Sequence, residues 1–475
     1  MIASGIRRAL RSSRSYQRIP SNTITTIGSS SIGTDSSSST IAANANANDR
    51  HQVSSLLSRM PTGIHSNTSL SDALNFTQMR QMSTDGAAGG TATATSTGMD
   101  DEYGEMTADG TTYVHPTPFI LENEQELPIA QLRYMTYGTL NEARDNVLVV
   151  CHALTGNASL HSWWGDLLGP GLAFDTDKYF VVCSNILGSC YGSSGPATSV
   201  NGEVGGALYG IDFPDISVQD TVRLQLHMLR DDLQVNSIKC VIGGSFGGMQ
   251  AVEYAVQAGK IDSPFSVDDA SGNAAPFVRS VVPIACGAAH TAWQIAMSEV
   301  QRQAIYMDPK WNNGNPSMDD PPLHGLSVAR QIGMISYRTP AGYESKFSRN
   351  VREKEPPYGS KAKWEVKSYL EYQGFKFLSR FDPITYLKLT EQMDTHDIGR
   401  NRGGKVNALS SVRIPALVLG IDSDILYPLY EQEELAELFP NGELAVINSD
   451  AGHDGFLIEQ DQVAAHITGF LTSHD

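Results

Sequence analysis

Residues 238–254 run Ile-Lys-Cys-Val-Ile-Gly-Gly-Ser-Phe-Gly-Gly-Met-Gln-Ala-Val-Glu-Tyr, an apolar stretch that breaks into a glycine-flanked serine and then into a helix-like segment. The chemistry this pattern suits is nucleophilic attack by Ser245. A serine on a sharp strand-to-helix turn is held in a strained conformation, and glycines at Gly243 and Gly247 let the chain pass close by. The hydroxyl then stands at a helix N-terminus, where backbone N–H groups can stabilise an oxyanion. Taken alone, the segment also fits an ordinary glycine-rich turn.

The order of the following polar residues strengthens the catalytic reading. Pro415-Ala-Leu-Val-Leu-Gly-Ile421 leads into Asp422-Ser-Asp-Ile-Leu-Tyr-Pro428, and Leu444-Ala-Val-Ile447 leads into Asn448-Ser-Asp-Ala-Gly-His453-Asp454. Serine, then acid, then histidine, each just past an expected strand, is the order of α/β-hydrolase folds. His453 is the expected general base and Asp424 the carboxylate that fixes its tautomer. Asp422, Asp450 and Asp454 compete for the acid's place, and spacing does not separate them. After the strand Asn146-Val-Leu-Val-Val-Cys151 comes His152-Ala-Leu-Thr-Gly156, where such folds place a second oxyanion donor. The backbone N–H groups of Leu154 and Phe246 are therefore the expected oxyanion hole.

The elements that must position these groups follow from hydropathy patterning. Phe119 to Leu121 and Pro128 to Tyr137 read as an antiparallel opening pair; Asn146 to Cys151, Tyr179 to Cys183 and Val278 to Ala285 read as buried strands. Alternation of these with helix-like stretches predicts an α/β fold with a mostly parallel sheet. Between residues 290 and 405 the alternation stops, and helix-like stretches at Trp293 to Met307, Leu326 to Tyr337, Ser368 to Leu378 and Tyr386 to Met393 predict a helical lid. The expected organisation is a targeting segment at 1–34, a disordered low-complexity stretch at 35–110 and one α/β domain at 111–475.

Residues 1–34 hold five arginines, many hydroxyl residues and no acid before Asp35, the composition of a mitochondrial transit peptide; a cytoplasmic location is the alternative. The Ser-, Thr-, Ala- and Gly-rich continuation lacks the apolar content to offset chain entropy. Across the 475 residues, 34 Lys and Arg face 52 Asp and Glu, for a net charge of −18. So acidic a chain is not expected to bind nucleic acid, which calls for clustered cations. No apolar run in the N-terminal segment is long enough for a secretory h-region or a membrane span, and no membrane association is expected. The five cysteines show neither C-x-x-C pairing nor metal-ligand spacing, so free thiols and no structural metal are expected.

Further motifs are more specific. His152-Ala-Leu-Thr-Gly156, Trp163-Trp164, Leu168-Gly-Pro-Gly171, Cys183-Ser-Asn185, Gly192-Ser-Ser-Gly-Pro196, Phe213-Pro-Asp-Ile216, Gly243 to Gln250, Glu299 to Ile305 with Asp308-Pro309, Ser368 to Gly374, Arg380-Phe-Asp-Pro383 and Gly452-His-Asp454 occur in this order. Together they resemble the homoserine O-acetyltransferase family, over about residues 113–475. The resemblance implies ping-pong transfer of acetyl from acetyl-CoA to L-homoserine through acylated Ser245, with Asp424 and His453 completing the triad. It also implies that Arg330 and Asp454 hold the amino acid, that no cofactor beyond the co-substrate is needed, and that the protein is a homodimer. The charges are suited to a zwitterion, since a guanidinium fork fits an α-carboxylate and a carboxylate fits an α-ammonium. A structural ion pair for Arg330 and a helix cap for Asp454 are the plainer alternatives.

Several features leave the acceptor open. Phe246 stands where the nearest family members carry methionine, and residues 261–276 read as a surface insertion. Gln301-Arg302 and Asp394-Thr-His-Asp397 resemble relatives that acylate L-serine, which differs from homoserine by one methylene, worth about 1–3 kcal/mol of discrimination. Acetyl over succinyl as donor rests on the resemblance. An esterase with the same triad is the other alternative; the lid, Arg330 and Asp454 speak against it, because a transferase must keep water from its acyl-enzyme.

Overall fold

The computed structural model describes residues 110–269, 271–352 and 363–474. The targeting and low-complexity assignments for residues 1–109 lie outside the described residues. Eight strands form the main sheet: β1 (Thr111–Val114), β2 (Gln131–Tyr137), β3 (Val147–Cys151), β4 (Phe180–Ser184), β5 (Ile238–Gly244), β6 (Val281–Ile284), β7 (Ala416–Ile421) and β8 (Gly442–Ile447). Their order is β1-β2-β4-β3-β5-β6-β7-β8. From β4 to β8 every neighbouring pair is parallel, and only β1 and β2 run antiparallel to their neighbours.

The antiparallel opening differs from expectation. Gln131–Tyr137 pairs with the polar strand Thr111–Val114, whereas Phe119–Ile120 turns back onto Glu126–Leu127 as a separate two-residue hairpin. A two-residue strand carries too little alternation to reveal its partner, and β1 (Thr-Thr-Tyr-Val) buries only Tyr113.

Unbroken apolar strands arise because both sheet faces are covered. In β3 all five residues are buried; Val147, Val149 and Cys151 join one core layer, and Leu148 and Val150 the other. The first layer receives α1 (Val218–His227) and α2 (Phe246–Ala258). Helix α1 starts on a capping box, with Ser217 Oγ accepting from the Asp220 N–H at 3.2 Å while the Asp220 carboxylate accepts from the Ser217 N–H at 3.0 Å. Between β6 and β7 lie α3 (Ala292–Tyr306), α4 (Leu323–Ser336), α5 (Pro340–Phe347), α6 (Glu365–Phe377) and α7 (Pro383–Asp394). After β7 comes α8 (Leu429–Leu438), and α9 (Gln460–Ser473) closes the second layer with Val463, Ile467, Phe470 and Leu471, each contributing about 1.5–3 kcal/mol of burial.

The inserted helices cross at close range. A Cβ on Gly325 of α4 would stand 2.5 Å from the Ile305 Cα of α3, and one on Gly374 of α6 would stand 2.7 Å from the Ser327 carbonyl of α4. The described residues of 261–276 are mostly exposed and carry a two-rung hairpin, Val267–Asp268 against Ala274–Ala275. Because β3, β5, β7 and β8 are parallel, the segments bearing Leu154, Ser245, Asp424 and His453 all emerge at one edge of the sheet.

Candidate active site

Ser245 adopts φ 57° and ψ −119° between β5 and α2. For a residue with a Cβ that conformation costs on the order of 1–3 kcal/mol and is found where function requires it. The local sequence allows the turn. A Cβ on Gly243 would lie 2.3 Å from the Gly247 carbonyl oxygen, and one on Gly247 would lie 2.0 Å from the Cys151 carbonyl oxygen. The same absence of side chains brings the end of β3 against the start of α2. Ser245 N–H donates to the Ile284 carbonyl at 2.9 Å, which ties the turn to β6.

Ser245 Oγ lies 2.8 Å from His453 Nε2, and His453 Nδ1 lies 2.7 Å from Asp424 Oδ2. All three residues are buried. Among the candidate acids, Asp424 is the one that contacts the His453 ring. Asp422 Oδ1 instead accepts from the Ser449 N–H at 3.0 Å, pinning the loop that carries His453, and Asp450 is exposed. The Tyr427 ring stacks on the imidazole, with centroids 5.1 Å apart at 28°. Burial opposes charge on His453, but the Asp424 carboxylate, by its field and its hydrogen bond, together with Asp454, outweighs it and raises the pKa above 6.5. An imidazole so held can take a proton from Ser245 and return it.

The two expected oxyanion amides sit just beyond β3 and at the start of α2. Helix α2 makes its first intrahelical bond from the Met249 N–H to the Ser245 carbonyl, 3.1 Å, so the Phe246 N–H belongs to the helix start that has no intrahelical acceptor. Leu154 is buried just beyond β3. Its N–H shares a peptide plane with the Ala153 carbonyl, which accepts from His152 Nδ1 at 2.8 Å; His152 Nε2 accepts from the Ile186 N–H at 3.2 Å, fixing that tautomer. Burial pushes the His152 pKa down to about 4, so the ring is neutral near pH 7. From the inserted helices, Arg380 Nη1 donates to the Thr155 carbonyl at 2.7 Å and to the Tyr191 hydroxyl at 2.8 Å.

The structure gathers Arg330 and Asp454 around one tyrosine. Arg330 lies buried on α4 with its guanidinium carbon 5.1 Å from the centre of the Phe377 ring. Asp454, next in the chain to His453, forms a 2.9 Å ion pair with Arg338 Nε, and both side chains are almost fully buried. Tyr337 stands 6.0 Å from the imidazole and within the fields of both Arg330 and Asp454. No sequence signal marks Arg338 or Tyr337; their place next to the His453 loop depends on contacts more than a hundred residues away. Asp454 makes no side-chain cap to the short helix it precedes.

Arg302 and Asp394, read from the sequence as marks of serine-acylating relatives, pair with each other at 2.7 Å and join α3 to α7. Among the described residues no group of three or more His, Cys, Asp or Glu side chains could hold a metal ion, and no helix is long and apolar enough to cross a membrane. All five cysteines are free.

Comparison with known proteins follows the same lines. The alpha/beta hydrolase fold family matches residues 146–460. A homoserine O-acetyltransferase of Salinibacter ruber is 47% identical over 341 residues, covering 72% of this chain and 92% of that protein. One from Chloroherpeton thalassium is 45% identical over 354 residues, covering 74% and 87%. Among solved structures, a homoserine O-acetyltransferase from Bacillus anthracis superposes with TM-score 0.65 at 23% identity, covering 76% of this chain and 97% of that one. Esterase E22 gives TM-score 0.65 at 22% identity over 76% and 99%. These two share the fold, and the sequence relatives supply the family: this chain belongs to the homoserine O-acetyltransferase family of α/β-hydrolase-fold enzymes.

Proposed function

We propose that the protein transfers acetyl from acetyl-CoA to the hydroxyl of L-homoserine by a ping-pong mechanism, as a step toward methionine. The observation that carries this reading is the hydrogen-bonded series Ser245 Oγ, His453, Asp424, at 2.8 and 2.7 Å, beside the buried Asp454–Arg338 pair. In the first half-reaction Ser245 Oγ attacks the thioester carbonyl while His453 Nε2 takes its proton. The Leu154 and Phe246 amides receive the oxyanion, and the proton passes to the departing CoA thiolate. In the second, His453 draws the proton from the homoserine hydroxyl, which attacks the acyl-serine; Ser245 regains its proton and O-acetylhomoserine leaves. Arg330 meets the α-carboxylate and Asp454 the α-ammonium, so an amino acid is held where water would otherwise react.

The test is a four-way grid of acetyl-CoA and succinyl-CoA against L-homoserine and L-serine, with thiol release followed in the presence and absence of amino acid. Acceptor-dependent release with acetyl-CoA and homoserine is expected. A preference for serine would reassign the acceptor, and release indifferent to either amino acid would indicate a hydrolase. Two further parts of the proposal are the mitochondrial address, tested by fusing residues 1–34 to a reporter, and the homodimer, tested by sedimentation. Exposed Val300, Val328 and Ile335 on α3 and α4 are the side chains to substitute in that second experiment.

A further inference from the structure

Asp424 uses its two oxygens differently. Oδ2 meets His453, whereas Oδ1 accepts from the Leu426 N–H at 2.8 Å and the Tyr427 N–H at 2.9 Å. Each of these amides belongs to a peptide group whose carbonyl is held from the other side by the first turn of α3. Trp293 Nε1 donates to the Ile425 carbonyl at 2.9 Å, in the same planar unit as the Leu426 N–H. Gln294 Nε2 donates to the Leu426 carbonyl at 2.8 Å, in the same unit as the Tyr427 N–H. Two unbroken hydrogen-bond chains thus run from neighbouring α3 side chains, through two peptide groups, into one carboxylate oxygen. A peptide whose carbonyl accepts a hydrogen bond is polarised and donates more strongly through its N–H. Gln294 is itself held in place, accepting from the Thr291 N–H at 2.6 Å and donating to Glu431 at 3.0 Å.

We infer that Trp293 and Gln294 are positioning residues for the triad acid: by fixing the Ile425–Leu426 and Leu426–Tyr427 peptides they hold Asp424 with Oδ2 toward His453. The inserted helices thereby support the proton relay as well as standing between β6 and β7. The inference rests on the assignment of Asp424 as that acid. Trp293→Phe keeps the ring and removes the donor, and Gln294→Met keeps the length. Each is made in the native chain and in an Asp424→Ala background. The readouts are the rate of CoA release in the first turnover, the KM for homoserine, and the low-field proton resonance of His453 Nδ1.

In the native background the first turnover is expected to slow about threefold for Trp293→Phe and about tenfold for Gln294→Met, the scale of one hydrogen bond. The KM for homoserine stays within twofold and the low-field resonance shifts. In the Asp424→Ala background neither substitution costs anything further. An equal fractional loss in that background, or an unmoved resonance, overturns the inference. An Asp424→Ala chain with a native first turnover would instead overturn the triad assignment. Trp293 is 47% exposed, so Trp293→Phe carries the cycle even where Gln294→Met does not fold.

Discussion

Asp454, the residue after the catalytic-base candidate His453, is bound to Arg338 at 2.9 Å with the side chains of both only 6% exposed. Removing one member of so buried a pair strands the other charge, at a cost of about 3–5 kcal/mol. Arg338→Ala is therefore expected to lower the denaturant midpoint clearly and to raise the KM for homoserine, because Asp454 no longer has a fixed direction. The first half-reaction, which needs no amino acid, should keep most of its rate. Steady-state kinetics with homoserine varied, set beside first-turnover CoA release, separates the two; an unchanged KM would remove Asp454 from the acceptor site.

Ser245→Ala should leave no covalent acetyl on the protein after exposure to acetyl-CoA. The fold should survive the change, since the φ of 57° is also available to alanine at a similar cost. Intact-mass spectrometry with and without homoserine is the measurement. An acetyl adduct that forms on the alanine variant, and that homoserine then discharges, would assign the nucleophile elsewhere.

The pH dependence follows from His453. The proposed mechanism needs the neutral ring, and the Asp424 carboxylate keeps the pKa above 6.5 despite burial, so the rate of the first turnover should rise with pH through a midpoint above that value. For stability the sign is opposite. A folded-state pKa raised above the unfolded one stabilises the fold fully below the unfolded pKa, and that contribution is lost as pH rises through the folded pKa. Asp424→Asn should move the kinetic midpoint downward while lowering the plateau by about 10⁴-fold. A midpoint that stays put in the asparagine variant would mean that another group sets it.

Much of this site is legible in the sequence because its parts obey local rules. Gly243 and Gly247 announce the turn at Ser245, and Asp424 and His453 each sit at a fixed offset past an apolar strand. The choice among Asp422, Asp424, Asp450 and Asp454 is not legible from spacing, although the family resemblance points to Asp424. It depends on which carboxylate the His453 loop folds onto, and Asp422 is spent on the Ser449 amide of that same loop. Arg338, Trp293 and Gln294 are silent in the sequence for a related reason: their partners lie 116, 132 and 132 positions away, and nothing in a local window marks a side chain that will brace a distant peptide. The helix Pro340–Phe347 also falls outside the expected helical stretches, although Thr339 caps it by accepting from the Gly342 N–H at 2.9 Å and Pro340 opens it, the usual signals of a helix start.

Arg380 offers a test of the proposed oxyanion segment that leaves Ser245, His453 and Asp424 untouched. Its Nη1 spans the Thr155 carbonyl and the Tyr191 hydroxyl, at 2.7 and 2.8 Å, so a residue between α6 and α7 braces the loop that presents the Leu154 amide. Deleting an oxyanion donor outright costs about 10²–10³ in rate, and loosening the loop behind it should cost less, about tenfold. Arg380→Ala is expected to slow both half-reactions by a similar factor, since in the proposed mechanism both tetrahedral intermediates place charge on the same amides. The KM for homoserine should change little, and Arg380→Lys, which keeps a cationic multiple donor on a shorter reach, should recover part of the loss. First-turnover CoA release and discharge of the isolated acetyl-enzyme by homoserine give the two rates. If only the discharge step slows, Arg380 acts on the amino acid and not through the loop.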